Sequence, residues 1–292
     1  MAGVVVFLNE ERHLPKFLAS VAAQTRPPDE LLLVDDGSTD ASGELVRAFA
    51  AEHPYARVLQ RPARPPERDR LATAKELVAF QWAVPKLRSR WDVVAKLDGD
   101  IRFSPRTWET LEEAFTADPR LGMAGPYQNA RGPNGALARE RTPEEHVRGG
   151  SRFYRRGCFE QVSPIPAHLG WDTLDEFRAQ YHGWRTASLD VPSGDTEHLR
   201  PVGRQDGALR AWRRWGACGW GYGEHPLHVV AVSVQRAGDP PPLLGGLSYI
   251  LGYVAAALRR APRAEPELRG YVRRDQLRRL GARARRLGRA AP

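Results

Sequence analysis

Two aspartates two residues apart, Asp98 and Asp100, end the segment Lys96-Leu97-Asp98-Gly99-Asp100, directly after the apolar run Val93-Val94-Ala95. Carboxylates spaced this way at the end of a strand can share one hard cation. Magnesium and manganese take oxygen ligands, and magnesium in particular is held by one or two carboxylates plus substrate phosphates. The segment therefore points to a metal–diphosphate site for Mg2+ or Mn2+. Asp-x-Asp also occurs in surface turns, so the surrounding chain has to decide between the two.

Other polar groups follow apolar runs in the same way. Asn9-Glu10-Glu11 comes just after Val4-Val5-Val6-Phe7-Leu8, and Asp35-Asp36-Gly37-Ser38-Thr39-Asp40 comes after Leu31-Leu32-Leu33-Val34. The second cluster can also turn the chain and cap a helix, which would leave Asp35 structural. Arg200 and Arg204 offer guanidinium forks that suit diphosphate oxygens, or are ordinary surface arginines. Gly149-Gly150 permits close backbone approach to a ligand, although a simple turn explains it as well. Trp212, Trp215, Trp220 and Tyr222 can line a binding groove or pack in a core.

The elements that must position these groups read as an alternation. Val4–Leu8, Leu31–Val34, Val58–Gln60 and Trp91–Leu97 are short buried strands, the third the weakest. Helical spacing appears between them at Leu14, Phe17, Leu18 and Val21, at Leu45, Val46 and Phe49, and over about Leu71–Leu87. The order β-α-β-α-β-α-β implies an α/β fold with a parallel sheet and ligands at the carboxyl ends of its strands. Asn9/Glu10, Asp35/Asp36 and Asp98/Asp100 all fall at those ends.

This ordered series resembles the N-terminal half of the family 2 glycosyltransferases of GT-A fold, a Rossmann-like nucleotide-binding sheet with an acceptor-side region. Gly149-Gly150-Ser151-Arg152-Phe153-Tyr154, Gly170-Trp171-Asp172-Thr173-Leu174-Asp175-Glu176 and His198-Leu199-Arg200-Pro201 are similar to acceptor-side segments of a bacterial polysaccharide-type subgroup. The resemblance covers about residues 4 to 230. It implies that Asp36 contacts the nucleoside of a nucleotide-sugar beside the Asn9–Glu10 loop. Asp98 would face the donor's ribose or sugar, Asp100 would bind the metal, and His198 would be a further ligand or part of a surface loop.

Family members carry Glu-Asp-x-Asp before an Arg and a Gly, the Asp of Glu-Asp acting on the acceptor. Counting back from Gly183 and Arg178 places Asp172 there, with Trp171 in place of the Glu and the second Asp displaced to Asp175. Either Asp172 or Asp175 could be the base. Asp172 could also cap a helix Thr173–Tyr181, and Asp175, Glu176 and Arg178 could form a solvated or ion-paired face. A base opposite a departing nucleoside diphosphate implies in-line displacement with inversion, aided by the cation. The nearest rival is a nucleotidyltransferase or other nucleotide-binding α/β protein, which also needs acidic metal ligands.

The chain has 292 residues and two cysteines, too few for a disulfide framework and suited to a reducing compartment. It enters its first strand at once, with no secretory signal. The polar stretch Arg131–Arg148 is expected to be a loop over the donor site, and Pro/Arg-rich Arg61–Arg70 another loop. Residues 1–235 are expected to be the catalytic domain and 236–292 an apolar segment with a helical tail. Residues 259–292 carry twelve arginines against Glu265, Glu267 and Asp275, so the whole net charge of +9 resides there. The sixteen-residue apolar run Leu243–Leu258 falls short of the roughly 20 residues that span a bilayer. An apolar segment followed by an Arg-rich helix fits peripheral attachment to an anionic membrane surface on its cytoplasmic, inner face. A helix packed on the enzyme body is the other reading. Basic tails also bind nucleic acid, but acidic clusters on the sheet rim oppose such a partner. The expected partners are a nucleotide-sugar donor and a saccharide or polyprenyl-linked acceptor.

Overall fold

The computed structural model describes residues 1–62, 69, 72–132, 135–140, 142–192, 194, 196–200, 207–238 and 242–289. Arg204 and most of 61–70 lie outside the described residues. The chain divides into two compact units, Met1–Pro201 and Val202–Pro292, where the sequence had placed a division at 235/236.

The first unit begins β1 (Ala2–Phe7), α1 (Leu14–Ala22), β2 (Glu30–Asp35), α2 (Ser42–Glu52), β3 (Ala56–Gln60), α3 (Lys75–Ala83) and β4 (Val93–Asp98). It continues through β5 (Ile101–Arg102), α4 (Thr107–Ala117), β6 (Leu121–Pro126), β7 (Gln128–Arg131), β8 (Leu137–Arg139) and β9 (Ser151–Arg155). The last elements are α5 (Arg156–Val162), α6 (Trp171–Tyr181), β10 (Arg185–Leu189) and β11 (Thr196–His198). Among the described residues the main sheet has the order β10-β6-β9-β4-β1-β2-β3. β4, β1, β2 and β3 run parallel, as their alternation with helices requires. β9 is antiparallel to both β4 and β6, and β10 forms the edge.

The central strands are apolar at nearly every position because both faces are covered. Val5, Leu31, Leu33 and Leu97 enter one core with α1 and α4. Val4, Val6, Leu32, Val34 and Val94 enter the other with α3 and α5. That period-two division explains why the sequence shows continuous runs rather than alternation. The third helix is shorter than its expected span: Ala74 has φ 43° and precedes it, and Val84–Lys86 tightens into a 3-10 turn around Pro85.

A second small sheet, β5-β11-β7-β8, was not anticipated. It draws His198 into strand β11, paired antiparallel to β5 and parallel to β7, rather than leaving it in a loop. The Arg131–Arg148 stretch likewise contains β8, which pairs with β7.

The second unit is helical: α7 (Ala208–Tyr222), α8 (Pro226–Arg236), α9 (Leu244–Leu258) and α10 (Pro266–Arg289). The apolar run is thus α9, and the Arg-rich tail is α10. Among the described residues no helix is long and apolar enough to cross a membrane.

Candidate active site

The loops after β1 and β2 are tied to one another. Asn9, in the left-handed region at φ 54°, accepts from the Thr39 N–H at 2.8 Å and donates its own N–H to Ser38 Oγ at 3.0 Å. The Glu10 N–H donates to Ser42 Oγ at 2.8 Å. Asp35 accepts from the N–H groups of Gly37 and Ser38, so it shapes the turn. Asp36 accepts from Arg61 Nη1 at 2.7 Å, and both side chains are 3% exposed. Arg61 was missed as a site residue. Its signal was positional, since it directly follows β3 at the carboxyl edge of the sheet.

Asp98 and Asp100 leave the end of β4. The Asp98 N–H donates to the Gly150 carbonyl at 2.8 Å, and Lys96 Nζ donates to Asp98 Oδ1 at 2.5 Å. Burial raises the Asp98 pKa, opposed by the Lys96 charge. The Leu199 N–H donates to the Asp100 carbonyl at 2.8 Å, which draws β11 alongside. His198 Nε2 lies 3.6 Å and Arg200 Nε 3.4 Å from Asp100 Oδ2. Arg200 also pairs with Glu10, whose Oε2 is 2.9 Å from His13 Nδ1. Behind His198, Glu140 Oε1 lies 3.5 Å from Nδ1 and pairs through Oε2 with Arg148 at 2.6 Å.

Burial alone would lower the His198 pKa, but the Asp100 and Glu140 carboxylates carry it up to about 9. Burial works the other way on Asp100, where His198 and Arg200 hold the carboxyl below its usual range. Among the described residues no three His, Cys, Asp or Glu side chains converge closely enough to hold a metal alone. The donor set fits a divalent cation that displaces the His198 proton: a largely buried carboxylate, an imidazole beside it and a second carboxylate two residues away. Such a cation takes its remaining ligands from substrate phosphates.

Gly149 and Gly150 join this centre to the acceptor-side segment. A Cβ on Gly150 would sit 2.8 Å from Asp98 Oδ2, and one on Gly149 would sit 3.2 Å from Asp172 Cβ. Asp98 and Asp172 therefore flank a single dipeptide. Asp172 is not a helix cap: the chain enters α6 through left-handed Gly170, two residues earlier, and no side chain caps it. Asp172 is partly exposed, and its carbonyl accepts from Arg152 Nη1 at 2.6 Å.

Asp175 has a different environment. It is fully buried, pairs with the equally buried Arg152, and accepts from the Tyr154 hydroxyl at 2.5 Å. Burial pushes its pKa up to about 6 against the opposing effects of Arg152 and Tyr154. Glu176 is also buried, accepting from the Val147 N–H at 3.1 Å and lying 3.0 Å from His146 Nδ1. Asp175 and Glu176 thus belong to an ion-paired interior rather than a solvated face. Trp171 lies over two buried cations, 5.3 Å from Lys96 and 5.6 Å from Arg152, and donates its indole N–H to Glu76 at 3.2 Å.

The aromatic residues of α7 lie in the second unit, where Trp212 meets Trp215 edge-on and Trp215 is exposed. Trp220 donates to the Ala261 carbonyl at 3.1 Å and meets Tyr253 edge-on, while Tyr222 is buried.

The chain is 29% identical over 246 residues to an undecaprenyl-phosphate mannosyltransferase of Micrococcus luteus, covering 84% of this chain and 87% of that protein. It is 26% identical over 182 residues to an N-acetylglucosaminyl-diphospho-decaprenol L-rhamnosyltransferase of Mycobacterium tuberculosis, 58% of this chain and 57% of that one. Its fold matches a mannosyltransferase from Pyrobaculum calidifontis in complex with GDP-Man and Mn2+. That match has a TM-score of 0.55 and 18% identity, covering 97% of this chain and 79% of the other. GalNAc-T7 with UDP, GalNAc and Mn2+ matches with a TM-score of 0.56 and 15% identity, covering 89% and 54%. The Glycosyl transferase family 2 profile matches residues 4–168. With its GT-A fold and that match over more than half its length, the chain belongs to glycosyl transferase family 2 and is a glycosyltransferase.

Proposed function

We propose that this glycosyltransferase moves a sugar, with inversion, from a nucleotide-sugar to a hydroxyl of a polyprenyl-linked saccharide in cell-surface polysaccharide synthesis, at the inner face of the membrane. The observation that carries this reading is the placing of Asp98 and Asp172 on either side of Gly149-Gly150. One carboxylate stands beside Gly150 at the donor centre and one beside Gly149 at the acceptor segment.

On the donor side, Asp36 and the Asn9–Glu10 loop would hold the nucleoside, and Arg200 the diphosphate. Arg61 buttresses Asp36, so the nucleoside pocket is built before the donor arrives. A divalent cation held by Asp100, Asp98 and His198 would, when bound, neutralise charge gathering on the departing diphosphate. On the acceptor side, Asp172 takes the proton of the attacking hydroxyl, because it is the carboxylate of α6 that reaches solvent beside Gly149. Asp175, committed to Arg152 and Tyr154, holds β9 against α6. The lipid-linked acceptor is supported by the names of the two bacterial relatives.

The Micrococcus luteus relative favours a second reading, in which the attacking group is a polyprenyl phosphate. Such a phosphate is already ionised at neutral pH and needs no base. Asp172→Asn separates the two. Transfer to a hydroxyl falls by about 10²–10⁴ when a general base is removed. Transfer to dodecyl or polyprenyl phosphate would survive the change, and survival would assign the phosphate reading.

A further inference from the structure

Two helices of the second unit, α8 and α9, are packed inside out for a protein surrounded by water. On α9 the buried residues are Gly245, Gly246, Tyr249, Gly252 and Ala256. Leu244, Leu247, Leu251, Val254 and Leu258 are exposed instead, Leu258 at 81%. The outward set recurs every three or four residues, so it forms one stripe along the whole helix. α8 repeats the arrangement: Val229 and Ser233 are buried, while Leu227, Val230 and Val234 are exposed, Val234 at 69%.

The helix contacts run through backbone. A Cβ on Gly252 would fall 1.9 Å from the Arg213 carbonyl oxygen of α7, and one on Gly246 would fall 2.3 Å from the Ser233 carbonyl oxygen of α8. In water, large aliphatic side chains gain most by turning inward. Where lipid is the solvent that gain is absent, so small residues mediate helix contact and large apolar ones face out. The second pattern is the one found on α8 and α9.

Charge distribution selects a bilayer over a protein partner. Leu243–Leu258 contains no charged residue, and Arg259 and Arg260 follow it at once, both exposed. An uncharged stripe ending in arginines matches acyl chains bordered by anionic headgroups. The 15 residues of α9 reach only about 22 Å, short of a hydrocarbon core of about 30 Å.

We propose that α8 and α9 form a monotopic docking face that lies in one leaflet of an anionic bilayer, burying Leu227, Val230, Val234, Leu247, Leu251 and Leu258. It deepens the lipid-linked acceptor reading and rests on it for its purpose. It places the membrane contact on the exposed stripes of α8 and α9. In α10 two of the arginines are occupied locally, Arg278 and Arg279 pairing with Asp275 at 2.6 and 2.5 Å.

The test is co-sedimentation of the full chain with vesicles of phosphatidylcholine, with and without phosphatidylglycerol, at low and high salt. Wild type is expected on both vesicles, more tightly with phosphatidylglycerol at low salt. A triple variant with Val234→Gln, Leu247→Gln and Leu251→Gln alters only exposed positions and should keep its melting temperature. Its partition should weaken more than about tenfold. Wild type remaining in the supernatant, or the variant binding equally well, would overturn the proposal. So would a wild-type dimer that the variant dissolves, since the face would then belong to a second copy. Vesicle binding is read without any acceptor, so a failed acceptor assignment leaves this result independent.

Discussion

Lys96, only 1% exposed at the centre of the sheet, donates to Asp98 Oδ1 at 2.5 Å. Burial works against its ammonium, yet Asp98, Glu76 and Asp172 together hold the Lys96 pKa above its ordinary value. The two lie on one strand, two residues apart and therefore on one face. Lys96 holds one oxygen of the Asp98 carboxylate, and the other lies beside Gly150. Lys96→Met should fold, because its length and most of its packing are kept, but should lower kcat by about 10–100-fold, as loss of a supporting contact commonly does. Steady-state kinetics checks this; an unchanged kcat would remove Lys96 from the positioning of Asp98.

A single methyl group at Gly150 should be as damaging. Its Cβ would sit 2.8 Å from Asp98 Oδ2, closer than such atoms approach, so Asp98 must rotate. Gly150→Ala is expected to cost about 10²-fold in kcat with little change in melting temperature, since displacement of a reacting geometry by an ångström has that effect.

Asp172 and Asp175 should separate stability from chemistry. Asp175→Asn removes the nearer carboxylate from buried Arg152 and leaves Glu176 at 3.8 Å, so the loss should approach about 3 kcal/mol. Asp172→Asn, at a partly exposed site, should change stability by less than about 0.5 kcal/mol while lowering transfer to a hydroxyl by about 10²–10⁴. Urea denaturation of both variants beside the transfer assay tests the contrast. Equal stability would mean the buried pair does not hold α6 to β9.

Glu30 predicts a pH dependence. Its Oε2 accepts from the N–H groups of Arg88 and Ser89, both at 2.7 Å, and its Oε1 from Arg57 at 2.9 Å. Burial pushes the carboxyl up, but these donors together hold it below its ordinary value of 4.5. Its stabilisation is therefore complete above pH 4.5 and is lost as pH falls through the lower folded-state value. Glu30→Gln should be less stable than wild type by about 1–3 kcal/mol near pH 7. The gap should close below pH 4.5, measured by urea midpoints across the pH range.

The four parallel strands and the three polar clusters at their ends were legible because buried strands need continuous apolar runs, and the residue just past each run marks a strand end. Long-range pairing was not legible. Nothing local announces that Arg61 buries against Asp36, or that Arg152 on β9 reaches Asp175 on α6. Three-residue β11 is too short for periodicity to show, so His198 read equally well as loop. Which side of the apolar segment is left uncovered was not legible either, because it depends on how α9 packs against α7 and α8. Family membership settles the rivalry with a nucleotidyltransferase, which carboxylates on a sheet rim alone could not.

The central claim is a donor site at Asp100. Its most direct test is the melting temperature of wild type and Asp100→Ala with UDP-, GDP-, dTDP- and CDP-sugars, each with and without Mn2+ or Mg2+. Ligand at a hundred times its Kd stabilises the native state by about 2.7 kcal/mol. A metal-dependent rise with one nucleotide class, absent in Asp100→Ala, is the predicted result. An equal rise in the variant, or a rise with free nucleoside triphosphates and with no nucleotide-sugar, would contradict it.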